Sequence, residues 1–417
     1  MMYKYGTKCR LCSNKRFELV LDLGKQPPSN SFLTKKKLRN KEKEFPLRLY
    51  ICKKCYHLQL LDVVDKKHLF SNYHYLTSAN KPIIEHFEKY ANDVHTKILK
   101  KKEKPFVIEI GSNDGTLLKK ILKYKVNVLG VEPAKNLAKI SRKSKIPTEN
   151  NFFNIQLAKK VSKKEKADLI IANNVLGHID NLHEFLVGIL EVLKDDGVFV
   201  FEVPHALNLI QKLEFDTIYH EHISYFSIIP LVRWLKNYNL EIYDVEKKNV
   251  HGGTIRVYVS KKGNFKIKKS VEKIKIIEKK YGMSKIRTYK IFTKKVESLR
   301  KDLLKKINEL KKNNRLFGYG APAKGNVLLN YCKIDNNILD FITDTTKIKQ
   351  GKYTPGSKIK ITSPKIISKK GTRCVALLLA WNYKLAIIKK ERNFLKRGGK
   401  FLIPIPKPRL IKNRSDK

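Results

Sequence analysis

Tyr219-His220-Glu221-His222 crowds a phenol, a carboxylate and two imidazoles into one stretch, DTIYHEHISYF. Removal of a proton beside a carbonyl needs these groups. An imidazole takes a proton near neutral pH, a carboxylate can hold its tautomer, and a phenol can donate to a developing oxyanion. A single histidine of this kind is ordinarily a satisfied polar group. Four such side chains together favour proton-transfer chemistry, and His205 and His220 are assigned no chemical role.

Six cysteines are present, and four of them form two Cys-x-x-Cys pairs, Cys9/Cys12 and Cys52/Cys55. Each pair brings two thiolates to one side of a tight turn, so the two together complete a tetrahedral zinc site. No histidine or carboxylate in the motif leaves an open catalytic position, so the expected metal is structural, with His57 a packing residue. The opening residues MMYKYGTKCR carry no apolar leader, and no apolar run approaches the ~18 residues of a membrane span, so a cytoplasmic location is expected.

The elements that must position these groups alternate between strand and helix. PFVIEIGSNDGTLLKKIL reads as a buried strand, a glycine turn and an apolar-faced helix. VNVLGVEPAKN is a second strand ending at Glu132, ADLIIANNVLGHID a third leading into a helix, and DDGVFVFEVP a further strand. This grammar specifies a doubly wound parallel sheet. LEIYDVEKKNVHGGTIRVYVSK adds two β-rich runs, and a terminal hairpin of this kind separates methyltransferase sheets from dinucleotide-binding ones. The first glycine loop, Glu109-Ile-Gly111-Ser-Asn113-Asp114-Gly115, lacks the middle glycine that a pyrophosphate would demand. It suits S-adenosylmethionine, with Glu132 and Pro133 toward the ribose and Asn173 and Asn174 on the carboxyl edge of the sheet.

Residues 262–314 have helical apolar spacing in a Lys-rich background, and the last hundred residues return to α/β grammar. There a second loop, Gly318-Tyr-Gly320-Ala-Pro-Ala-Lys324-Gly325, either presents backbone N–H groups and a lysine to an anion or simply packs a helix on a strand. The expected division is a zinc-binding domain over 1–70, a cofactor-binding domain over 71–262, a helical connector over 263–314 and a Rossmann-like domain over 315–417. Tyr73 and Tyr75 stand before a helix as core residues or as a lid over a ligand.

The net charge of +51, from 89 Lys and Arg against 38 Asp and Glu, raises the possibility of nucleic-acid binding. The excess is mostly lysine spread along the chain, whereas a base reader concentrates arginine and aromatic residues on one element. Compositional drift accounts for it better, and no nucleic-acid partner is expected. A zinc-containing nucleic-acid base methyltransferase remains the alternative enzyme, and a basic zinc-stabilised scaffold the non-enzymatic one. The C-terminal α/β region opposes the first, and the intact Glu109, Gly111, Gly115 and Glu132 oppose the second.

The order of zinc knuckles, EIGSNDGTLL, NNVLGHI, YHEHISYF, HGGTIRVYV, GYGAPAKGNVLLNY, YTPGSKIKI, WNY and GGKFLIPIP resembles the sugar C-methyltransferases over nearly the whole chain. Those enzymes act on nucleotide-linked 4-keto-6-deoxy sugars and combine an N-terminal zinc domain, a class I methyltransferase domain and a C-terminal Rossmann-like domain. The resemblance implies zinc on Cys9, Cys12, Cys52 and Cys55, and S-adenosylmethionine on the Glu109–Gly115 loop and Glu132. It implies His222 as the base with Glu221 supporting it, and Tyr219, His178 and Asn174 around the keto and enolate oxygens. Tyr75, His251 and Lys324 complete the expected substrate side. Gly177 stands where the family pattern has alanine, and His178 keeps its place.

Overall fold

Residues 2–66, 69, 76–79, 81–250 and 252–413 are described by the computed structural model. Tyr73, Tyr75 and His251 lie outside them. The chain groups into two units, each built from three segments: residues 1–18, 51–207 and 223–285 in the first, and 19–50, 208–222 and 286–417 in the second.

The N-terminal strands are β1 (Tyr3–Tyr5), β2 (Phe17–Gln26), β3 (Phe45–Cys52), β4 (Leu58–Leu60) and β5 (Asp62–Val64). In the first unit β1 pairs antiparallel with β5, bringing the first knuckle's strand beside the end of the second's. The main sheet follows, with β6 (Phe106–Ile110), β7 (Asn127–Val131), β8 (Thr148–Glu149), β9 (Ala167–Asn173) and β10 (Leu193–Pro204). After the short β11 (Ser224–Tyr225), which pairs with β4, come β12 (Leu240–Lys248) and β13 (Thr254–Lys261). The spatial order is β12-β13-β10-β9-β6-β7-β8. Strands β6 to β10 are parallel, while β13 runs antiparallel to both β10 and β12. This is the class I methyltransferase sheet, with the hairpin's second strand inserted beside the parallel ones.

Both faces of that sheet are covered, which explains why its strands read as continuous apolar runs. Alternate residues enter different cores. Ile108, Ile170, Ala172, Phe199 and Phe201 join one, and Val107, Leu169, Ile171, Val198 and Val200 the other. Within the first unit, the helix Lys269–Tyr281 carries Glu278, fully buried, whose carboxylate accepts from Ile228 N, Ile229 N and His205 Nε2. It therefore caps the helix Ile228–Lys236, whose own N-cap, Ser227, makes no side-chain cap bond. His205 is a structural partner there.

The second unit holds a six-stranded sheet of β14 (Arg315–Tyr319), β15 (Ile342–Thr343), β16 (Ile361–Thr362), β17 (Cys374–Leu378), β18 (Lys400–Ile403) and β19 (Arg409–Ile411). Its order, β16-β15-β14-β17-β18-β19, is parallel except for β19, and it turns back at β14 as a Rossmann-like sheet does. The helix Ile286–Lys311 buries Tyr289, Phe292, Val296, Leu299, Leu303 and Ile307, one stripe of its surface, and leaves its lysines outside.

This grouping differs from the four consecutive domains expected. The stretch between the zinc knuckles belongs with the C-terminal residues, because its apolar side chains (Leu21, Leu33, Phe45, Leu47) need a core and its backbone finds partners there. Leu33 and Tyr353 exchange backbone bonds of 2.9 Å each, Asn326 Nδ2 donates to Ser29 O at 2.6 Å, and Gly356 N donates to Glu42. The connector also divides, its two helices falling in different units.

Candidate active site

Cys9, Cys12, Cys52 and Cys55 bring their sulfurs within 4.8 Å of one another. Thiolates on a tetrahedral zinc stand about 3.8 Å apart for bonds of about 2.3 Å; Cys9–Cys55 at 3.5 Å and Cys12–Cys52 at 3.6 Å fit that spacing. Gln59 Nε2 donates to Cys9 Sγ at 3.2 Å and Asn14 Nδ2 to Cys52 Sγ at 3.4 Å, as donors around a thiolate cluster should. His57 is not among the four. It is buried against Phe226, and burial, then the nearby Arg10 charge, pushes its pKa down to about 3.

The first glycine loop follows β6 at the point where the strand order turns. Gly111 has φ +69°, and a Cβ there would stand 2.5 Å from Val175 Cγ2. Gly115, at φ +77°, heads the helix Thr116–Ile121. Glu132, just past β7, accepts from Asn113 N at 2.9 Å and Ala134 N at 2.8 Å, tying the loop to the next turn. Pro133 lies between those contacts, its carbonyl accepting from Asn150. Asn113 and Asp114, expected at the cofactor, use their side chains to hold the preceding turn: Asn113 Oδ1 accepts from Thr77 N and Asp114 Oδ2 from Ser78 N.

What remains unpaired points to a ligand. Glu109 Oε2, Ser112 Oγ and both amide atoms of Asn173 are buried without hydrogen-bond partners among the described residues. Burial, and then the charges of Asp114 and Glu132, raise the Glu109 pKa well above the usual carboxylate range, and burial raises Glu132 as well. A cationic group would relieve all three acids, and S-adenosylmethionine carries a sulfonium and an ammonium. Ser112 escaped the sequence reading because a serine in a glycine loop ordinarily only completes a turn. Asn174 turns the chain at φ +55° with its N–H on Glu202 O, and leads to His178 at the end of a 3-10 turn.

Tyr219-His220-Glu221-His222 falls in the second unit. Tyr219 O–H donates to His222 Nε2 at 2.8 Å, and the two rings lie 4.0 Å apart. His222 Nδ1 stands 3.2 Å from Thr217 O. A carbonyl can only accept, so Nδ1 carries the hydrogen and Nε2 presents its lone pair. The group that holds the tautomer is thus a backbone carbonyl, where Glu221 was expected. Both Glu221 oxygens accept from Asn30 Nδ2, at 2.8 and 3.0 Å. Burial raises the Glu221 pKa to about 7 against the opposing effects of Asn30 and Lys349. His220 donates to Phe45 O at 3.2 Å and is structural.

Around the second glycine loop, Asp344 beyond β15 accepts from Ala321 N and Thr346 N, both at 2.7 Å. Lys349 Nζ donates to Ala321 O at 2.8 Å, and burial lowers its pKa against the charges of Asp344 and Glu221. Lys324, expected to face substrate, lies with its ammonium 4.1 Å over the Trp381 ring. Trp381 in turn donates to Asp216 Oδ2 at 2.7 Å. Lys324 Nζ is buried without a hydrogen-bond partner among the described residues, near Glu214, whose pKa burial raises to about 7. Asn30 and Lys349 were not foreseen, because they sit in a turn-rich and a lysine-rich stretch where nothing in the local pattern distinguishes them, and Thr217 was not because it acts through its backbone carbonyl.

Residues 9–70 match a zinc-binding domain family, residues 83–245 a methyltransferase domain, and residues 249–406 a C-methyltransferase C-terminal domain. The C-methyltransferase NovU of Streptomyces niveus is 33% identical over 411 residues, covering 98% of this chain and 97% of that one. The chain belongs to the C-methyltransferase family. This C-methyltransferase depends on S-adenosylmethionine and carries zinc on its cluster of four cysteines. Solved structures with a similar region include the CcbJ methyltransferase of Streptomyces caelestis (13% identity, 42% of this chain and 89% of that one, TM-score 0.34). An S-adenosylmethionine-dependent methyltransferase of Clostridium acetobutylicum gives 15% identity, 43% of this chain, 92% of that one and a TM-score of 0.34. The fold of the C-methyltransferase rests on its own strand order. Among its described residues no helix is long and apolar enough to cross a membrane.

Proposed function

We propose that this C-methyltransferase methylates a nucleoside-diphosphate 4-keto-6-deoxy sugar at C3, the carbon beside the ketone. The observation that carries the reading is the Tyr219–His222 pair, with the imidazole tautomer set by Thr217 O. The ketone acidifies the neighbouring C–H. His222 Nε2 takes that proton, and Tyr219 transfers its hydrogen bond from the imidazole to the carbonyl oxygen as charge develops there. His178 and Asn174 are assigned to the same oxygen, and Tyr75 and His251 to the sugar. The bound cofactor supplies an electrophilic methyl carbon, held through Glu109, Ser112, Glu132 and Asn173. The diphosphate is assigned to the second glycine loop, where the start of the helix Ala323–Tyr331 stands with Lys349 and Lys324. The cytoplasm suits four zinc-bound thiolates.

The test is mass spectrometry of a panel of nucleotide-linked 4-keto sugars incubated with the enzyme and S-adenosylmethionine. A gain of one methyl in one member, placed at C3 by NMR, is expected. His222→Ala should lower turnover by ~10²–10⁴-fold while cofactor affinity is kept. Methylation elsewhere than beside the ketone, or full turnover by the variant, would sink the reading.

A further inference from the structure

Arg10, inside the first zinc knuckle, is a charged side chain that neither metal binding nor the proposed chemistry uses. Its side chain is only 5% exposed, yet nearly every donor is engaged. Nε and Nη2 donate to Asp180 Oδ1 at 3.1 and 3.0 Å. Nη1 donates to Leu60 O at 2.6 Å, Gln59 Oε1 at 3.2 Å and Ile223 O at 3.3 Å. Gln59 also donates to Cys9 Sγ and accepts from Arg10 N, so one amide touches both a metal ligand and this guanidinium.

The partners of Arg10 belong to the segments that carry expected site residues. Asp180 lies two residues after His178, and Ile223 directly follows His222 in the chain. These segments are joined to one another through Ile223 N, which donates to Gly177 O at 2.7 Å, and through Leu60 N, which donates to Ile223 O at 2.9 Å. The planar fork of an arginine can hold a carboxylate on one edge and carbonyls on the other at once; a lysine ammonium cannot hold that geometry.

We infer that Arg10 is a positioning residue through which the zinc knuckle sets the register of the 177–180 turn against Ile223, the residue that leads into β11. Bound zinc would fix the Cys9–Cys12 turn, the turn fixes the guanidinium, and the guanidinium fixes the chain just after His178, at Asp180, and at Ile223, the residue that follows His222 in sequence. That consequence for catalysis rests on the roles given to His178 and His222 above; the structural coupling does not.

The test compares the full-length enzyme with Arg10→Lys and, as a milder variant that keeps the arginine, Asp180→Asn. Zinc content, amide hydrogen exchange and steady-state kinetics are read together. Retained zinc with ~10-fold or greater faster exchange at the Ile223 and Leu60 amides is expected in Arg10→Lys, and a smaller acceleration in Asp180→Asn. In the kinetics kcat should fall ~10–100-fold with KM little changed, as for other residues that orient an active group from behind. Removing zinc from the unsubstituted enzyme should accelerate exchange in the same two amides. Unchanged exchange in a zinc-loaded Arg10→Lys variant overturns the inference whatever the substrate proves to be. Faster exchange combined with no methylation of any keto sugar by the unsubstituted enzyme would leave the coupling standing and remove the proposed function.

Discussion

Both glycine loops follow the first strand of a sheet whose order turns back at that strand. In both, an acid just beyond the second strand accepts one N–H from the loop and another from its own turn, Glu132 from Asn113 and Ala134, and Asp344 from Ala321 and Thr346. The scaffolds match and the charges do not. The first loop is surrounded by buried acids, Glu109, Asp114 and Glu132, while the second is flanked by Lys324 and Lys349. On the function proposed above, one strand–turn–helix plan would serve a cation at the first loop and an anion at the second, the sign being set by side chains other than the glycines.

The largest effects should come from the glycines themselves. A Cβ at Gly111 would stand 2.5 Å from Val175 Cγ2, and one at Gly320, also at positive φ (+83°), 2.8 Å from Ala380 Cβ. Gly111→Ala should weaken cofactor binding by ~100-fold or more in calorimetry, and Gly320→Ala should leave it within about twofold while raising KM for the acceptor. Equal loss of cofactor affinity in both would erase the distinction between the loops. Next, if the diphosphate lies where proposed, Lys349→Ala should raise acceptor KM by ~10–100-fold with cofactor affinity unchanged, since it removes the charge-assisted contact assigned to that anion.

Stability against pH gives a smaller effect. With its pKa raised from 4.5 to about 7, folded Glu221 binds more protons than unfolded Glu221 between those values. Its contribution therefore falls as pH climbs through that window. Glu221→Gln should match the unsubstituted protein below the window and exceed it above by on the order of 3 kcal/mol in denaturant titrations. The smallest signal is a proton count. Because the Glu109 pKa is raised without cofactor, a cation arriving beside it should release a fraction of a proton near neutral pH. Calorimetry in buffers of different ionisation heat would read that release, and Glu109→Gln should abolish it.

Much of this architecture was legible because buried parallel strands, glycine turns and Cys-x-x-Cys pairs write local patterns. The position of β13 between β10 and β12 could be anticipated only as a hairpin, since pairing partners are not encoded in alternation. The membership of residues 19–50 was invisible, because a stretch of short strands and turns says nothing about which core accepts it. At the site, the residue types of Tyr219 and His222 announced proton transfer, but the atom that orients the ring is a carbonyl, and every residue has one. Lys324 read as a charge offered to a substrate anion; its contact with Trp381 depends on a residue far along the chain.

The interleaving of segments also limits how this chain can be rearranged. The backbone passes from one unit to the other at 18/19, 50/51, 207/208, 222/223 and 285/286. No single cut releases either unit whole, and a chimera spliced near residue 262 or 314 would inherit the last sheet without the strands that precede it. During synthesis, residues 19–50 emerge early and must wait for β19 at the far end before their own unit is complete. Exchange between relatives is thus expected to succeed with whole chains or with all three segments of a unit together, and to fail with simple halves.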